Sequence, residues 1–219
     1  IKDGGAWGTI KHFALNGQES HRFKIDAVCS ERAIREIYLK TFEMAVKEKT
    51  VMTLMTSYNP INGHWAASNY DLCTTILRGE WGYEGLVMTD WWAKLNDEGL
   101  EGTRENTTAM VRAQNDLYMV CGDSETNSNQ DNTQEGLASG KITIGELQRN
   151  AENICNVIMR FPVMDPFVGK DMIIQEINVP ESKKAPVILQ PPVTLMDEVV
   201  LDISALKTEA GSENQYSIH

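Results

Sequence analysis

The 219-residue sequence has no apolar run long enough to cross a membrane, so we expect no membrane partner. Basic residues are also few, because 20 Lys and Arg stand against 31 Asp and Glu and give a formal net charge of -11. An acidic surface repels phosphate backbones, which argues against nucleic acid as a partner. The first residues, IKDGGAWGTIKHF, lack a basic start followed by an apolar stretch, so no signal peptide is predicted.

Cysteine is scarce and widely spaced, at positions 29, 73, 121 and 155. These residues form no C-x-x-C pair, so we expect no metal site. Each lies in or beside an apolar stretch, which favours buried free thiols and a reducing, cytoplasmic compartment; one disulfide in a secreted relative is the alternative. No glycine-rich loop opens a helix after a strand, so we expect no cofactor and disfavour a phosphate-binding α/β protein.

Short apolar segments alternate with amphipathic ones. The apolar segments predict strands at 8–13, 51–57, 86–89 and 116–120, and the intervening patterns predict helices at 30–48, 68–77, 103–114 and from 143 onward. Strands that are apolar throughout are typical of parallel sheets buried on both faces. A whole (β/α)8 barrel needs roughly 250 residues. We therefore predict an α/β fold in which residues 1–160 form about four β/α units of a partial barrel; a doubly wound sheet is the other possibility.

Two of the predicted helices have explicit caps and apolar faces. Ser30 caps the first, and Thr143 with Glu146 forms a capping box at the start of the last. The expected buried faces are Ile34, Ile37, Tyr38, Phe42, Ala45 and Val46 in the first helix, and Leu147, Ala151, Ile154, Cys155 and Ile158 in the last.

The remaining segments have little periodicity. Residues 122–133 are polar and predict a solvated loop. Prolines recur between 162 and 192, so residues 161–192 are predicted to be a linker. The weak alternation of Val199–Ile203 then predicts a strand that begins a β-rich segment ending at 219.

Three polar clusters lie at the C-terminal ends of predicted strands, where the active sites of parallel α/β folds form. Lys11 and His12 can hold sugar hydroxyls or an anion, although spacing alone favours a structural histidine and a surface lysine. Tyr58 can orient a carboxylate, although packing is its commoner role. Asp90 precedes Trp91 and Trp92, which suits a nucleophile beside rings that stack on sugars as well as it suits a helix cap beside core aromatics.

Four segments together resemble glycoside hydrolase family 3. KHFALNGQESHR at 11–22 resembles the K-H-F-x-x-N-x-Q-E-x-x-R segment, and SERAIREIYLKTFEMAVKE at 30–48 resembles the S-E-R-x-x-R-E-x-Y-L-x-x-F helix. MTSYNPINGHWAASN at 55–69 and LRGEWGYEGLVMTDWWA at 77–93 resemble the M-x-S-Y-N-x-x-N-G and L-R-x-E-W-G-F-x-G-x-V-x-S-D-W blocks. Weaker similarity continues to about residue 160.

The resemblance implies a β-glucosidase-like retaining hydrolase that acts on β-glucosides or related β-glycosides. It implies that Asp90 is the nucleophile, that Lys11 and His12 bind hydroxyls of the sugar, that Tyr58 lies beside the nucleophile and that Trp91 lies on the aglycone side. Arg22 matches the motif and has either a substrate-binding or a structural role.

The sequence also departs from the family pattern. An aspartate and an arginine that the family has before the K-H block would lie upstream of Ile1, and no segment resembles the α/β sandwich domain that carries the acid/base glutamate. Phe13 and the residues after it differ from the K-H-x-P-G-H-G block of the branch with a histidine acid/base, which disfavours that branch. The β-rich tail fits a parent in which the sandwich domain precedes the barrel.

We therefore expect a fragment whose partners are the missing barrel half and the sandwich domain. Alone, it is expected to be inactive and to self-associate through its open sheet edges. The alternative is a non-catalytic carbohydrate-binding or assembly module on the same scaffold. Asp90 argues against that alternative, because such a module has little need of a carboxylate there.

Overall fold

The computed structural model describes residues 6–123 and 125–169. One compact unit spans residues 1–165, and a second unit begins at Pro166. The predicted strand at Val199–Ile203 and most of the predicted linker lie outside the described residues. The described part of the linker contains a short 3₁₀ helix, Pro162–Val168.

A parallel three-stranded sheet forms the centre of the first unit. Its strands are β1 (Gly8–Phe13), β2 (Val51–Thr56) and β5 (Leu86–Met88), in the order β1-β2-β5. Two-residue strands β3 (Pro60–Ile61) and β4 (His64–Trp65) form a separate antiparallel hairpin. The predicted strands at 8–13, 51–57 and 86–89 are thus confirmed within a residue. β2 is largely buried, whereas Thr9 and Lys11 of β1 are exposed.

The helices vary in type. A first helical stretch comprises α1 (Glu31–Ala33), a π-helical turn (Ile34–Tyr38) and α2 (Lys40–Lys47). It is followed in the chain by a 3₁₀ turn (Ala66–Ser68), a second π-helix (Asp71–Glu80), α3 (Thr107–Arg112), α4 (Thr133–Ala138) and α5 (Ile144–Ile158). The predicted caps at Ser30 and Thr143 are both confirmed, the second as a complete capping box with Glu146.

The π-helical turn changes which face of the first helix is buried. Ile37 and Tyr38, predicted to be buried, are 66% and 46% exposed, whereas Leu39 is fully buried. A π turn inserts one extra residue between hydrogen-bonded positions and rotates the following side chains around the axis. The 3.6-residue period therefore fails at this point, and it resumes at Phe42, Ala45 and Val46, which contact the core.

The face prediction for α5 is partly wrong: Leu147 packs against the core and Ile154 is half-buried, as predicted, but the other members of the face are not. Val157 and Asn150 are buried, whereas Ala151, Cys155 and Ile158 are exposed. Asn150 donates to the backbone oxygen of Asn115 at 3.2 Å, and Asn153 donates to Asp116 at 2.8 Å. Polar anchors to the preceding segment therefore set the orientation of α5, and an apolar-residue count cannot detect them.

The predicted strand at 116–120 is replaced by an irregular segment. It makes a single parallel bridge to the sheet, between Met88 and Leu117. Side chains make several of the remaining contacts: Val87 N–H donates to the Asp116 carboxylate at 2.9 Å, and Met119 N–H donates to the Thr89 hydroxyl at 2.9 Å. The segment thus lies beside β5 where a fourth strand was predicted, without forming a regular ladder.

The cysteine prediction is partly wrong. All four cysteines are free; Cys73 is buried and Cys29 is partly buried, but Cys121 and Cys155 are exposed. The described parts of the chain contain no helix that is both long and apolar enough to span a membrane. In the same parts, no group of three or more His, Cys, Asp or Glu residues could hold a metal ion.

Candidate active site

The sheet topology brings the three predicted polar clusters to one edge. Because β1, β2 and β5 are parallel, their carboxyl ends lie on the same side of the sheet. His12 lies near the end of β1, Tyr58 follows β2 by two residues, and Asp90 follows β5 by two. The parallel pairing of the three strands thus brings together the polar residues at or just after their carboxyl ends.

Asp90 is held at both carboxylate oxygens. Its Oδ1 accepts a hydrogen bond from the backbone N–H of Trp91 at 2.7 Å, and its Oδ2 lies 3.2 Å from Nε2 of His12. The residue is 7% exposed. These two contacts hold the largely buried carboxylate in one orientation.

His12 is predominantly neutral at neutral pH. Burial lowers the pKa of its imidazole, although the Asp90 charge raises it, and the positive charge of Lys11 lowers it further. A neutral imidazole can donate one hydrogen bond and accept one. At 3.2 Å, its Nε2–H can donate to Asp90 and leave the ring free of charge. Lys11, the preceding residue, is exposed.

Tyr58 contacts the same carboxylate. Burial, the negative charge of Asp90 and a hydrogen bond to Asp90 raise the pKa of Tyr58 to about 12. The phenol therefore keeps its proton and serves as a donor to Asp90. The resemblance-based prediction that Tyr58 lies beside Asp90 agrees with this contact.

Arg22 and Phe23 cover the Tyr58 ring. The Arg22 guanidinium carbon lies 4.8 Å from the centroid of the Tyr58 ring, and the Phe23 ring lies 4.3 Å from it. Arg22 also donates to Glu19 at 2.8 Å and lines an open cavity of about 220 Å³. Phe23 is 45% exposed and was not identified from the sequence, because it lies in a loop whose contacts no periodicity reveals.

Two exposed tryptophans follow Asp90. Trp91 is 47% exposed and Trp92 is 46% exposed, and their rings meet edge to face at 5.7 Å. Trp92 has φ of 54°, in the left-handed region that bulky residues rarely adopt. The turn after Asp90 therefore presents flat apolar rings to solvent, which excludes their interpretation as core aromatics and suits stacking on sugar faces.

Most of the chain matches one protein-family model. Residues 1–157 match the model of the glycosyl hydrolase family 3 N-terminal domain. The chain belongs to this family. In this family 3 chain, the parallel α/β architecture is shared with solved family members, which supports the predicted fold class at the level of the N-terminal domain.

Several relatives are named β-glucosidases, and two from Bifidobacterium are named exo-α-(1→6)-L-arabinopyranosidases. A β-glucosidase from Ruminococcus albus is 44% identical over 98% of the chain, which covers 22% of that protein. A solved β-glucosidase from Paenibacillus barengoltzii has a TM-score of 0.73 and 63% identity over 75% of the chain, which covers 18% of that structure. Thermotoga neapolitana β-glucosidase 3B in complex with glucose has a TM-score of 0.64 and 35% identity. The chain thus spans about a fifth of the length of these relatives.

Proposed function

We propose that this family 3 chain supplies the nucleophile and part of the sugar-binding site of a retaining β-glucosidase-type hydrolase. The observation that carries the proposal is the Asp90 carboxylate, 7% exposed and contacted by His12 at 3.2 Å and by Tyr58. Most of the relatives are named β-glucosidases, which favours terminal β-D-glucosides as the substrate class, and related β-glycosides come next.

The proposed reaction has two displacements at the anomeric carbon. An oxygen of Asp90 attacks this carbon, the bond to the departing oxygen breaks with its electron pair, and a general acid gives that oxygen a proton. Water then attacks the same carbon and transfers a proton to the conjugate base. The ester bond to Asp90 breaks, and the carboxylate and the sugar are released.

The neighbours of Asp90 have distinct proposed roles. Lys11, exposed beside His12, and Arg22, packed on Tyr58, bind sugar hydroxyls. His12 binds a sugar hydroxyl while its imidazole remains neutral. A neutral imidazole forms no ion pair with the Asp90 carboxylate, so the carboxylate keeps its charge available for attack on the sugar. Tyr58 donates to the Asp90 carboxylate and keeps it in the attacking orientation. Trp91 stacks against the aglycone.

The general acid is proposed to come from outside this chain. We propose that residues 1–160 are a partial (β/α)8 barrel with about four β/α units and that 161–219 are a linker followed by a β-rich segment. The missing barrel half and an α/β sandwich domain complete the site. The share of about a fifth of its relatives' length supports this assignment.

The test is chemical rescue in the full-length protein. Asp90→Ala is expected to lower kcat for an aryl β-glucoside by about 1,000-fold or more. Sodium azide fits the space left by the carboxylate and attacks the anomeric carbon from the same face. Rescued turnover should therefore yield the α-glucosyl azide, the product of a single inversion.

The control is Asp123→Ala, which removes an exposed carboxylate in a polar loop. It should keep wild-type kinetics and gain nothing from azide. An Asp90→Ala variant that is folded and fully active would contradict the proposal. Glucoside binding without turnover in the wild-type full-length protein would favour the non-catalytic module instead.

A further inference from the structure

The strand that carries Asp90 is bound differently on its two sides. On one side, β5 forms a regular parallel ladder with β2, with Leu86, Val87 and Met88 in register. On the other side lie residues 115–119, here called the flanking segment. The flanking segment makes only one bridge to β5. The bonds on this second side decide how the chain turns as it leaves β5 and enters the site.

The flanking segment begins as a backbone ladder. Asp116 N–H and Leu117 N–H both donate to the carbonyl of Val87, at 2.8 and 3.2 Å. Thr89 N–H then donates to the carbonyl of Leu117 at 2.9 Å. In a parallel ladder the next bond would run from Met119 N–H to the carbonyl of Thr89.

That next bond is made by a side chain. Met119 N–H donates to the Thr89 hydroxyl at 2.9 Å, so the hydroxyl takes the place of the Thr89 carbonyl. The following contact, from Trp92 N–H to the carbonyl of Met119, is 2.7 Å long. Asp90 therefore lies between Thr89 and Trp92, which are both hydrogen-bonded to Met119.

The substitution by the hydroxyl has a geometric consequence. Because the Thr89 carbonyl is not needed for the ladder, the backbone at 89–90 can leave the sheet while Met119 remains bonded. Thr89 is fully buried, so its hydroxyl has no competing bulk water. The hydrogen bonds of Thr89 and Trp92 with Met119 fix the turn from which the Asp90 side chain projects toward His12.

We infer that Thr89 is a positioning residue for Asp90 and acts through its hydroxyl, an inference that rests on the proposed nucleophile role of Asp90. Thr89 need not touch the substrate. Its hydroxyl holds the flanking segment against the turn, and the turn aims the carboxylate. Loss of the hydroxyl leaves the partly buried N–H of Met119 without its acceptor and releases the turn, so the attacking oxygen is misplaced.

The experiment measures the rate of covalent trapping by a 2-deoxy-2-fluoro-β-glucoside in the full-length protein. Thr89→Val keeps the branched shape and removes the oxygen, and it should slow trapping at least about tenfold, because small misplacements of reacting groups have large effects on rate. KM for an aryl glucoside should change by less than about threefold, since the sugar-binding residues are untouched. Thr89→Ser restores an acceptor and should trap within about threefold of wild type.

A matched control separates positioning from stability. Thr108 is 2% exposed, and its hydroxyl lies 2.7 Å from the side-chain oxygen of Asn132. Thr108→Val should lower the melting temperature and leave trapping unchanged. If Thr89→Val fails to fold, Thr89→Cys, with a sulfur that is only a weak acceptor, should fold and show the same slower trapping.

Each result decides the inference. Wild-type trapping rates in Thr89→Val or Thr89→Cys would overturn it, and so would a Thr89→Ser variant as slow as Thr89→Val. Slow trapping in Thr108→Val would assign the effect to stability instead. An adduct on a residue other than Asp90 in the wild type overturns the proposed function itself, and that result is read before any variant is compared.

Discussion

The Nε2 atom of His12 lies 3.2 Å from Oδ2 of Asp90, although His12 lies in β1 and Asp90 follows β5, two strands that do not pair with each other. β1 and β5 lie on opposite sides of β2, so the side chains of His12 and Asp90 meet across the carboxyl end of β2. Tyr58, which follows β2 itself, contacts the same carboxylate. The candidate site is thus assembled across three strands, and its properties depend on the sheet remaining intact.

The first prediction concerns the pH dependence of stability. Burial lowers the pKa of His12 below its ordinary value of 6.5, so the unfolded chain binds this proton more readily than the folded chain. The contribution of neutral His12 is therefore fully present above the unfolded pKa and is lost as the pH falls through 6.5 toward the folded pKa. Urea unfolding of the chain between pH 8 and pH 5 measures the effect.

His12→Gln provides the control for this pH dependence, because glutamine keeps a polar group and does not titrate. The difference in unfolding free energy between wild type and variant should shrink as the pH falls. A constant difference, or one that grows toward acid pH, would contradict a lowered His12 pKa.

The second prediction concerns sugar binding in the full-length protein. Lys11→Ala and His12→Ala should each lower kcat/KM for an aryl β-glucoside on the order of 100-fold, or about 2.7 kcal/mol of transition-state stabilisation. Lys24→Ala removes another exposed lysine and should have no such effect. Steady-state kinetics on folded variants decide this; near-normal values for Lys11→Ala and His12→Ala would return both residues to a structural role.

The strands of this fold could be predicted because burial dictates them locally. The apolar runs that include Ile10, Leu54 and Val87 indicate strands, and the structure confirms these strands. The expectation that every strand is buried on both faces is wrong for β1, where Thr9 and Lys11 are exposed. The helix faces could not be predicted fully, because a π-helical turn rotates Ile37 and Tyr38 outward. Local periodicity carries no signal for such an insertion.

The predicted site residues lie close together because of the sheet topology. Placement at strand ends indicated that His12, Tyr58 and Asp90 would lie together, since parallel strands end at one edge. The contact of Phe23 with Tyr58 could not be predicted, because it joins a loop to a strand end. The role of Asp116 was also missed, because a carboxylate that replaces backbone ladder bonds resembles an ordinary strand residue in the sequence.

The third prediction concerns the ion pair between Arg78 and Asp116. Their side chains are 9% and 0% exposed and meet at 2.6 Å, and Asp116 also accepts from Val87 N–H and Asn153. Arg78→Met should destabilise the chain by about 3 to 5 kcal/mol, because it leaves a buried carboxylate without its cation. Urea unfolding measures the change.

The matched control for Arg78 is an exposed ion pair on the first helix. Arg32 and Glu36 meet at 3.1 Å with side chains 82% and 61% exposed. Arg32→Met should cost less than about 1 kcal/mol. Equal effects of Arg78→Met and Arg32→Met would show that burial does not set the strength of the Arg78 pair.

The fourth prediction concerns the isolated 219-residue chain, which should self-associate. Within the sheet that the described residues form, β1 pairs with β2 alone, so its other edge is open to a partner strand. Val28 and Ile37 add apolar side chains that are 77% and 66% exposed. Light scattering after size exclusion at micromolar concentration should give a mass above that of one chain, and a well-folded monomer would refute the association.

A variant tests the apolar part of this association. Val28→Glu together with Ile37→Glu adds charge to exposed positions without disturbing the sheet, and it should shift the equilibrium toward smaller species. The isolated chain should also fail to hydrolyse an aryl β-glucoside, because general acid help is worth roughly 100- to 10,000-fold and no acid is assigned within it. Clear turnover by the pure chain would refute that expectation.

Covalent trapping distinguishes Asp90 from every other carboxylate as the nucleophile. The full-length protein is incubated with a 2-deoxy-2-fluoro-β-glucoside, digested, and mapped by peptide mass spectrometry. We expect a covalent glycosyl adduct on the peptide that contains Asp90, and we expect no adduct on this peptide in Asp90→Ala. An adduct on any other carboxylate, with Asp90 unmodified, would contradict it.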